Sequence, residues 1–298
     1  MATSLKRRWR KFSGILFILP WLITFTIFQA GPILASLAIS FSNWDLAHPI
    51  EFVGVRNYVY LVNEYELLRT ALYNTFYYAA FSVPGGLLVA FCLAGLLNQN
   101  VRGLPFFRTL FYLPSVVSGV ATAVLWLWMF QPGGIINSFL GLFGIQGPRW
   151  LGSTFWAKPA LILMSWWSVG GSMIIFLAGL QGIPQSLYEA AEVDGAGWWS
   201  KVSHVTLPLM TPYIFLNLVL GIIGALQAFA QALVMTEGGP ANATLFVMLL
   251  MYRVGWNYFR MGEAAAIAWM LLLIILALTI VQFSISRHWV YYETGERS

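Results

Sequence analysis

Charge is what this sequence has least of. Only 9% of its 298 residues are Asp, Glu, Lys or Arg, while 59% are hydrophobic and mean hydropathy is +0.74. Soluble domains carry about a quarter charged residues, so a water-soluble globular fold is excluded and an integral membrane protein is implied. The formal charge of +5 does not imply a nucleic-acid partner. Five of the sixteen basic residues (Lys6, Arg7, Arg8, Arg10, Lys11) sit together ahead of the first apolar block, where anionic lipid headgroups attract them. Cysteine is nearly absent too: Cys92 alone permits neither an internal disulfide nor a thiolate metal site.

Catalytic chemistry is missing as well. The four lysines follow Leu5, Arg10, Ala157 and Ser200, so there is no Gly-Lys pair and no Walker-type phosphate loop. His48, His204 and His288 are too scattered for a helical zinc motif. Gly195 and Gly197 begin a GxGxxG, but Ser200 takes the last position and no strand precedes it, so the stretch reads as a turn between helices. Charged residues deep within the apolar blocks, the mark of proton relays, are lacking; Arg260 and Glu263 lie at the edge of the last block. Neither enzyme activity, nor a cofactor, nor a metal is expected.

What is present is six apolar stretches of membrane-spanning length, at about 14–40, 71–97, 107–130, 157–180, 213–236 and 262–285. The predicted organisation is all-α and polytopic: a basic N-terminus (1–13), a single transmembrane domain of six helices (14–285) and a C-terminal tail (286–298). The first block is too long for a secretory signal and lacks a small-residue cleavage site, so it reads as a retained anchor. Prolines 20, 32, 84 and 114 and the pairs Gly85/Gly86 and Gly170/Gly171 predict kinked, closely packed helices. The longer outer loops, 41–70 and 131–156, are expected to hold short helices or strands lying against the membrane.

Six crossings leave both termini on one side. With that side cytoplasmic, inner segments hold ten Lys and Arg and outer ones six, an excess owed to the N-terminal cluster. The segment 181–212 between the fourth and fifth spans then faces the cytosol. Inside the bilayer the polar residues are neutral or aromatic. Trp166, Trp167, Gln227 and Gln231 are the candidates for a path taken by a hydroxyl-rich solute, Gln227 and Gln231 being four apart and expected on one helix face. The same residues also suit helix-helix bonding and space filling.

Segment 181–212 contains EAAEVDGAGWWSKVSHVTLPLMTP (189–212). Pro184 and the pair Ser186/Glu189 read as a helix start with a capping box, and Gly195 as its stop. The helix expected over 187–194 is about 12 Å long, too short to persist in water without something to lie against. After the Ala196-Gly197 turn, 198–204 is expected to form a second short helix. Read alone, the hairpin fits a knob for a partner's groove or an amphipathic segment anchored on the inner membrane face by Trp198 and Trp199.

Glu189-Ala190-Ala191, Asp194-Gly195-Ala196, Val205 and Thr206-Leu207-Pro208 resemble the cytoplasmic EAA signature of permease subunits in binding-protein-dependent ABC importers. The resemblance extends to the carbohydrate branch through 106–130, TEGGPANAT (236–244), YRVGWNYFRMGEAAAIAW (252–269) and RHWVYY (287–292). Val202 departs from it, the family placing an aromatic there more often. The resemblance implies a type I permease fold in which the EAA segment forms coupling helices, with Glu189, Ala190, Ala191, Asp194 and Gly195 as contact and hinge positions. It also implies a second, different permease, two cytosolic ATPases, an extracellular solute-binding protein, and residence in a bacterial or archaeal inner membrane with both termini cytoplasmic. The substrate implied is a sugar, oligosaccharide, polyol or sugar phosphate. A secondary transporter or channel would account for the spans but leaves the acidic hairpin without a role. The Asn242-Ala243-Thr244 sequon reads as chance within the 236–244 motif.

Overall fold

The computed structural model describes residues 17–99 and 102–291. The basic cluster 6–11, the start of the first span, Tyr292 and the tail beyond it lie outside the described residues. Contacts divide the chain into two units, Met1–Tyr65 with Met251–Met270, and Glu66–Leu250 with Leu271–Ser298.

The first unit opens with helix α1 (Phe17–Ser40), followed by a two-stranded antiparallel ribbon, β1 (Ser42–Asn43) and β2 (Glu51–Phe52), and by α2 (Arg56–Asn63). Asn57 ties these together, its carboxamide donating to the carbonyls of Ser40 (2.8 Å) and Ser42 (2.9 Å). At the hairpin tip Asp45 accepts from the His48 ring (2.7 Å) and from the amides of Ala47 and His48. These bonds, that with the His48 ring foremost, hold the Asp45 carboxyl down at about 2, and the same pair raises His48 above its ordinary value. Because the raised pKa belongs to the cation, the pairing operates at low pH and is lost as pH rises through the His48 midpoint. Both groups are fully exposed, so the consequence is a titration shift, not stability. Asp45→Asn is expected to lower the His48 midpoint in a histidine-resolved NMR titration; an unmoved midpoint contradicts the pairing.

The second unit contains α3 (Glu66–Leu97), α4 (Leu104–Val116), α5 (Gly119–Met129), α6 (Ile135–Leu142), α7 (Ala157–Trp167), α8 (Gly170–Gly182), α9 (Gln185–Val193), α10 (Trp198–Leu226), α11 (Ala230–Met235) and the start of α12 (Val247–Tyr252). The last helix is α13 (Met261–Ser286). Helices α1, α3, α10 and α13 are each long and apolar enough to cross a membrane. Two bent pairs, α4 with α5 (100°) and α7 with α8 (47°), bring the candidate spans to as many as six if each pair is one broken span.

Small residues decide the packing of the second unit. Ala90 and Ala94 of α3 are fully buried against Met173, Phe176, Leu177 and Leu180 of α8 and Met210 of α10. A Cβ on Gly179 would lie 2.7 Å from the Tyr213 ring, and one on Gly170 would lie 2.8 Å from the Phe111 carbonyl, so both glycines are where helices meet most closely. Gly85 follows Pro84, whose missing amide weakens the α3 ladder, and receives the ring of Trp166 where a side chain would stand.

Pro32 and Pro208 each follow a π turn within a continuous helix. Thr26–Ala30 precedes Gly31-Pro32, and Val202–Thr206 precedes Leu207-Pro208; in each, an amide reaches five residues back, Gly31 to Thr26 and Leu207 to Val202. Proline clashes with the carbonyl four residues before it, and a widened turn relieves that clash. This corrects two expectations. Residues 198–204 are not a separate short helix but the first turns of α10, which is continuous to Leu226 rather than starting at 213. At its far end α10 stops at Leu226, and 227–229 is not helical before α11 begins.

Candidate functional site

Helix α9 carries Glu189, Ala190 and Ala191, and its ends differ from the expected ones. Pro184 occupies the N-cap position in extended conformation, no side chain caps the helix, and Ser186 is already inside the first turn. The capping box therefore does not form: with helical backbone angles, Ser186 cannot turn its hydroxyl back across the first amides. At the other end Gly195 adopts φ +80°, its amide donates to Glu192 O (3.0 Å) and the Ala196 amide to Ala191 O (2.8 Å). That is the Schellman arrangement, and it needs a residue at ease in the left-handed region.

The hairpin is clasped to its own stalk at two points. Tyr188 and Thr206 share a hydroxyl hydrogen bond of 3.0 Å, and Lys201 Nζ donates to Glu192 at 2.5 Å. The exposed ion pair contributes roughly 0–1 kcal/mol, so the Schellman turn and the Tyr188 contact set the geometry. Glu189, Ala190, Asp194 and Gly195 remain exposed with Ala191 half-buried, and around them Val193 (88% exposed), Trp198 (71%) and Trp199 (68%) also face outward. An apolar and acidic tip of this kind on a packed hairpin is a surface made for a partner.

A second feature lies along the middle of the long helices. A groove of about 330 Å³ is lined by Tyr78, Ser82 and Gly86 of α3, Ser165 of α7, Ser168 at the bend, Ser172 of α8, and Asn217, Gly221 and Gly224 of α10. Its walls mix hydroxyls and a carboxamide with the apolar side chains of Val83, Leu87, Val169 and Ala225, and none of the lining side chains is charged. The bend between α7 and α8 creates it: interrupting the helix at Ser168 and Val169 turns three serines and loosened backbone toward the same space. Broken helices at membrane depth are tolerated where they line such a cavity.

Of the four path candidates, two touch residues of this groove's wall without lining it themselves. Gln231 donates to the Tyr78 hydroxyl at 3.4 Å. Trp166 is half-buried, donates from Nε1 to Ser82 O (3.2 Å) and packs on Gly85. Trp167 lines a separate apolar pocket of about 290 Å³ with Leu93, Leu110, Phe111 and Leu113, and meets Trp126 edge-on at 6.0 Å. Gln227 is exposed at the end of α10, and because 227–229 is not helical the shared face expected for Gln227 and Gln231 does not exist. The serines escaped the sequence reading because an isolated Ser in an apolar block looks the same whether it faces lipid, a neighbour or a cavity. Asn217 was a polar residue in a span, but nothing singled it out.

Arg260 and Glu263, at the edge of the last span, form an ion pair, with the guanidinium over the Tyr60 ring at 5.2 Å. Thr244 of the sequon is fully buried and bonded to Thr236 (2.7 Å) and to Gly239 O (2.8 Å), which agrees with reading the sequon as chance.

Residues 82–290 match the family described as the binding-protein-dependent transport system inner membrane component. The chain belongs to this family of ABC importer permeases. The permease is 41% identical over 288 residues to the probable ABC transporter permease protein YesP of Bacillus subtilis, covering 95% of this chain and 93% of that one. It is 34% identical to the lactose transport system permease protein LacF of Rhizobium radiobacter, covering 96% and 99%. Among solved structures it resembles a chain of a bacterial alginate ABC transporter in complex with an alginate pentasaccharide-bound periplasmic protein, with TM-score 0.81, 25% identity and 96% of both chains covered. The permease is thus a multi-pass transport component and not an enzyme, and ATP hydrolysis is the task of separate subunits.

Proposed function

We propose that this permease forms, with a second and different permease, the pathway for a sugar or oligosaccharide delivered by an extracellular binding protein, with two cytosolic ATPases gripping the α9 hairpin. The observation that carries the solute class is the groove. Hydroxyls and a carboxamide without charge at membrane depth suit a neutral, hydroxyl-rich solute and offer nothing to a metal ion or a free proton. LacF, named for lactose, supports the same class, and the alginate transporter, named for an acidic polysaccharide, supports carbohydrate but not neutrality. The orientation proposed, with both termini and the hairpin cytosolic, follows the Lys and Arg excess and gives the exposed acidic tip a partner.

In the proposed mechanism, closure of the ATPases displaces the hairpin. The Tyr188–Thr206 bond and the unbroken α10 then transmit the movement to Asn217 and Gly221 without a flexible joint. The test is uptake in proteoliposomes with the solute that stabilises the cognate binding protein. Ser165→Leu combined with Asn217→Leu fills the groove and removes its polarity. Uptake is expected to fall at least roughly tenfold, about 1.4 kcal/mol of pathway free energy, while binding-protein-stimulated ATPase activity persists. Unchanged uptake removes the groove from the pathway.

A further inference from the structure

Helix α6 belongs neither to the α9 hairpin nor to the groove. Ile135, Phe139 and Leu142 follow one another at four- and three-residue spacing and are 71%, 59% and 80% exposed, so they form one outward-facing apolar stripe, extended by Phe143, whose ring meets Phe139 edge-on at 5.3 Å. The opposite side is fully engaged. Asn137 Nδ2 donates to the carbonyls of Gln131, Pro132 and Pro148, its Oδ1 accepts from Trp150 Nε1 at 2.8 Å, and Gly147 lies so close to Asn137 that a side chain there has no room. The stripe is therefore held out by a rigid loop and does not result from loose packing.

We propose that α6 is an interfacial anchor whose apolar stripe lies in the acyl-headgroup boundary of the bilayer and whose partner is phospholipid, taken without regard to headgroup charge. Three observations favour lipid over a protein surface. Residues 131–148 contain no Asp, Glu, Lys or Arg, so α6 and the segments on either side of it lack the charge that a hydrated docking surface carries at its rim, the loop's one basic residue, Arg149, lying beyond them. The connection from α5 is too short to lift α6 away from the membrane: the Gly134 amide donates to Gln131 O at 2.8 Å, and a Cβ on Gly134 would lie 2.5 Å from the carbonyl of Met129, the last residue of α5. Finally, exposed aromatics flank the loop, Trp128 (75%) before it and Phe155 (73%) after it, the side chains that settle at headgroup level. Because the helix has no cation, anionic lipid should add nothing to its depth.

The test places a nitroxide label at Phe139→Cys and, separately, at Leu142→Cys in a Cys92→Ser background, with His48→Cys as the water-exposed reference. The assembled complex is held in phosphatidylcholine nanodiscs, then in nanodiscs containing half phosphatidylglycerol. The ratio of oxygen to nickel-chelate accessibility is expected to be several-fold higher at 139 and 142 than at 48, and equal in both lipids. A ratio matching that at 48 puts the stripe in water, and shielding from both reagents means that a protein covers it. A depth that depends on phosphatidylglycerol means a charge-directed contact. Each of these three results overturns the proposal.

Discussion

Glu189→Lys is expected to abolish ATP-driven uptake while the complex still reaches the membrane and its ATPases still turn over. Glu189 is exposed at the tip of α9 and has no role in holding the hairpin, which depends on the Gly195 turn and on Tyr188. Removing a charge that a partner buries costs about 2–5 kcal/mol, which corresponds to a loss of roughly thirty- to several thousand-fold in coupled transport. Gly195→Val acts on the same surface by another route. Nothing lies within 4 Å of an added Cβ there, so space is not the obstacle; the φ of +80° is. Forcing a β-branched residue into that region costs about 1–2 kcal/mol, enough to unwind the turn and misdirect Asp194. Uptake and ATP hydrolysis measured together in proteoliposomes check both variants. If Glu189→Lys transports normally, the hairpin is no handle for the ATPases. If the hairpin is protected by lipid instead of by them, the membrane-anchored reading of Trp198 and Trp199 takes its place.

Asn74→Leu is expected to be the most damaging single change to the fold. Asn74 is buried in α3. Its Nδ2 donates to Asn242 O (2.8 Å) and Leu245 O (3.2 Å), and its Oδ1 accepts from Lys158 Nζ (2.9 Å), an ammonium that also sits 4.9 and 4.8 Å from the rings of Tyr73 and Tyr77. One residue later Thr75 accepts the Val247 amide at 3.0 Å. Together they hold the 236–246 loop, in which Glu237, Ala241 and Asn242 all adopt positive φ and do not keep that path unaided. Leucine preserves the volume but strips the Leu245 carbonyl and the Lys158 ammonium of this partner, at about 1–3 kcal/mol each, while Asn242 O keeps the Leu245 amide at 3.2 Å. A loss of roughly 2–6 kcal/mol is expected, seen as a much lower melting temperature in micelles and as protease cleavage within 236–246. Adding Lys158→Met should restore the share due to the stranded ammonium. A variant that melts like the parent would show that the loop is held by other means.

How much of this was legible in the sequence differs from feature to feature. The hairpin was visible because its signals are local: an acidic, alanine-rich turn of helix, a glycine where the backbone must turn left-handed, and a tryptophan pair after it. Its start was misread because Ser186 and Glu189 have the spacing of a capping box, yet the bend at Ile183 and Pro184 begins the helix earlier. Residues 198–204 were expected to be a helix apart from the fifth span because the π turn that joins them to it is not written in residue types. Gln227 and Gln231 were paired by spacing alone, and spacing has no meaning across a break. The serines of the groove had no signature, since which side of a helix faces a cavity depends on its neighbours.

The sequence by itself determined that this chain lives in lipid, that it lacks a Walker-type phosphate loop of its own, and that it carries an acidic, alanine-rich segment between its fourth and fifth apolar blocks. Composition, the missing Gly-Lys pair and a local motif are properties of the chain that no packing can alter. Only the tertiary structure decided how the α9 hairpin joins α10, which polar residues face one groove, and that Asn74 reaches across 168 positions to hold a loop. Those depend on which helix faces approach one another, and approach is settled by small residues, bends and shared hydrogen bonds that act only when the chain is folded.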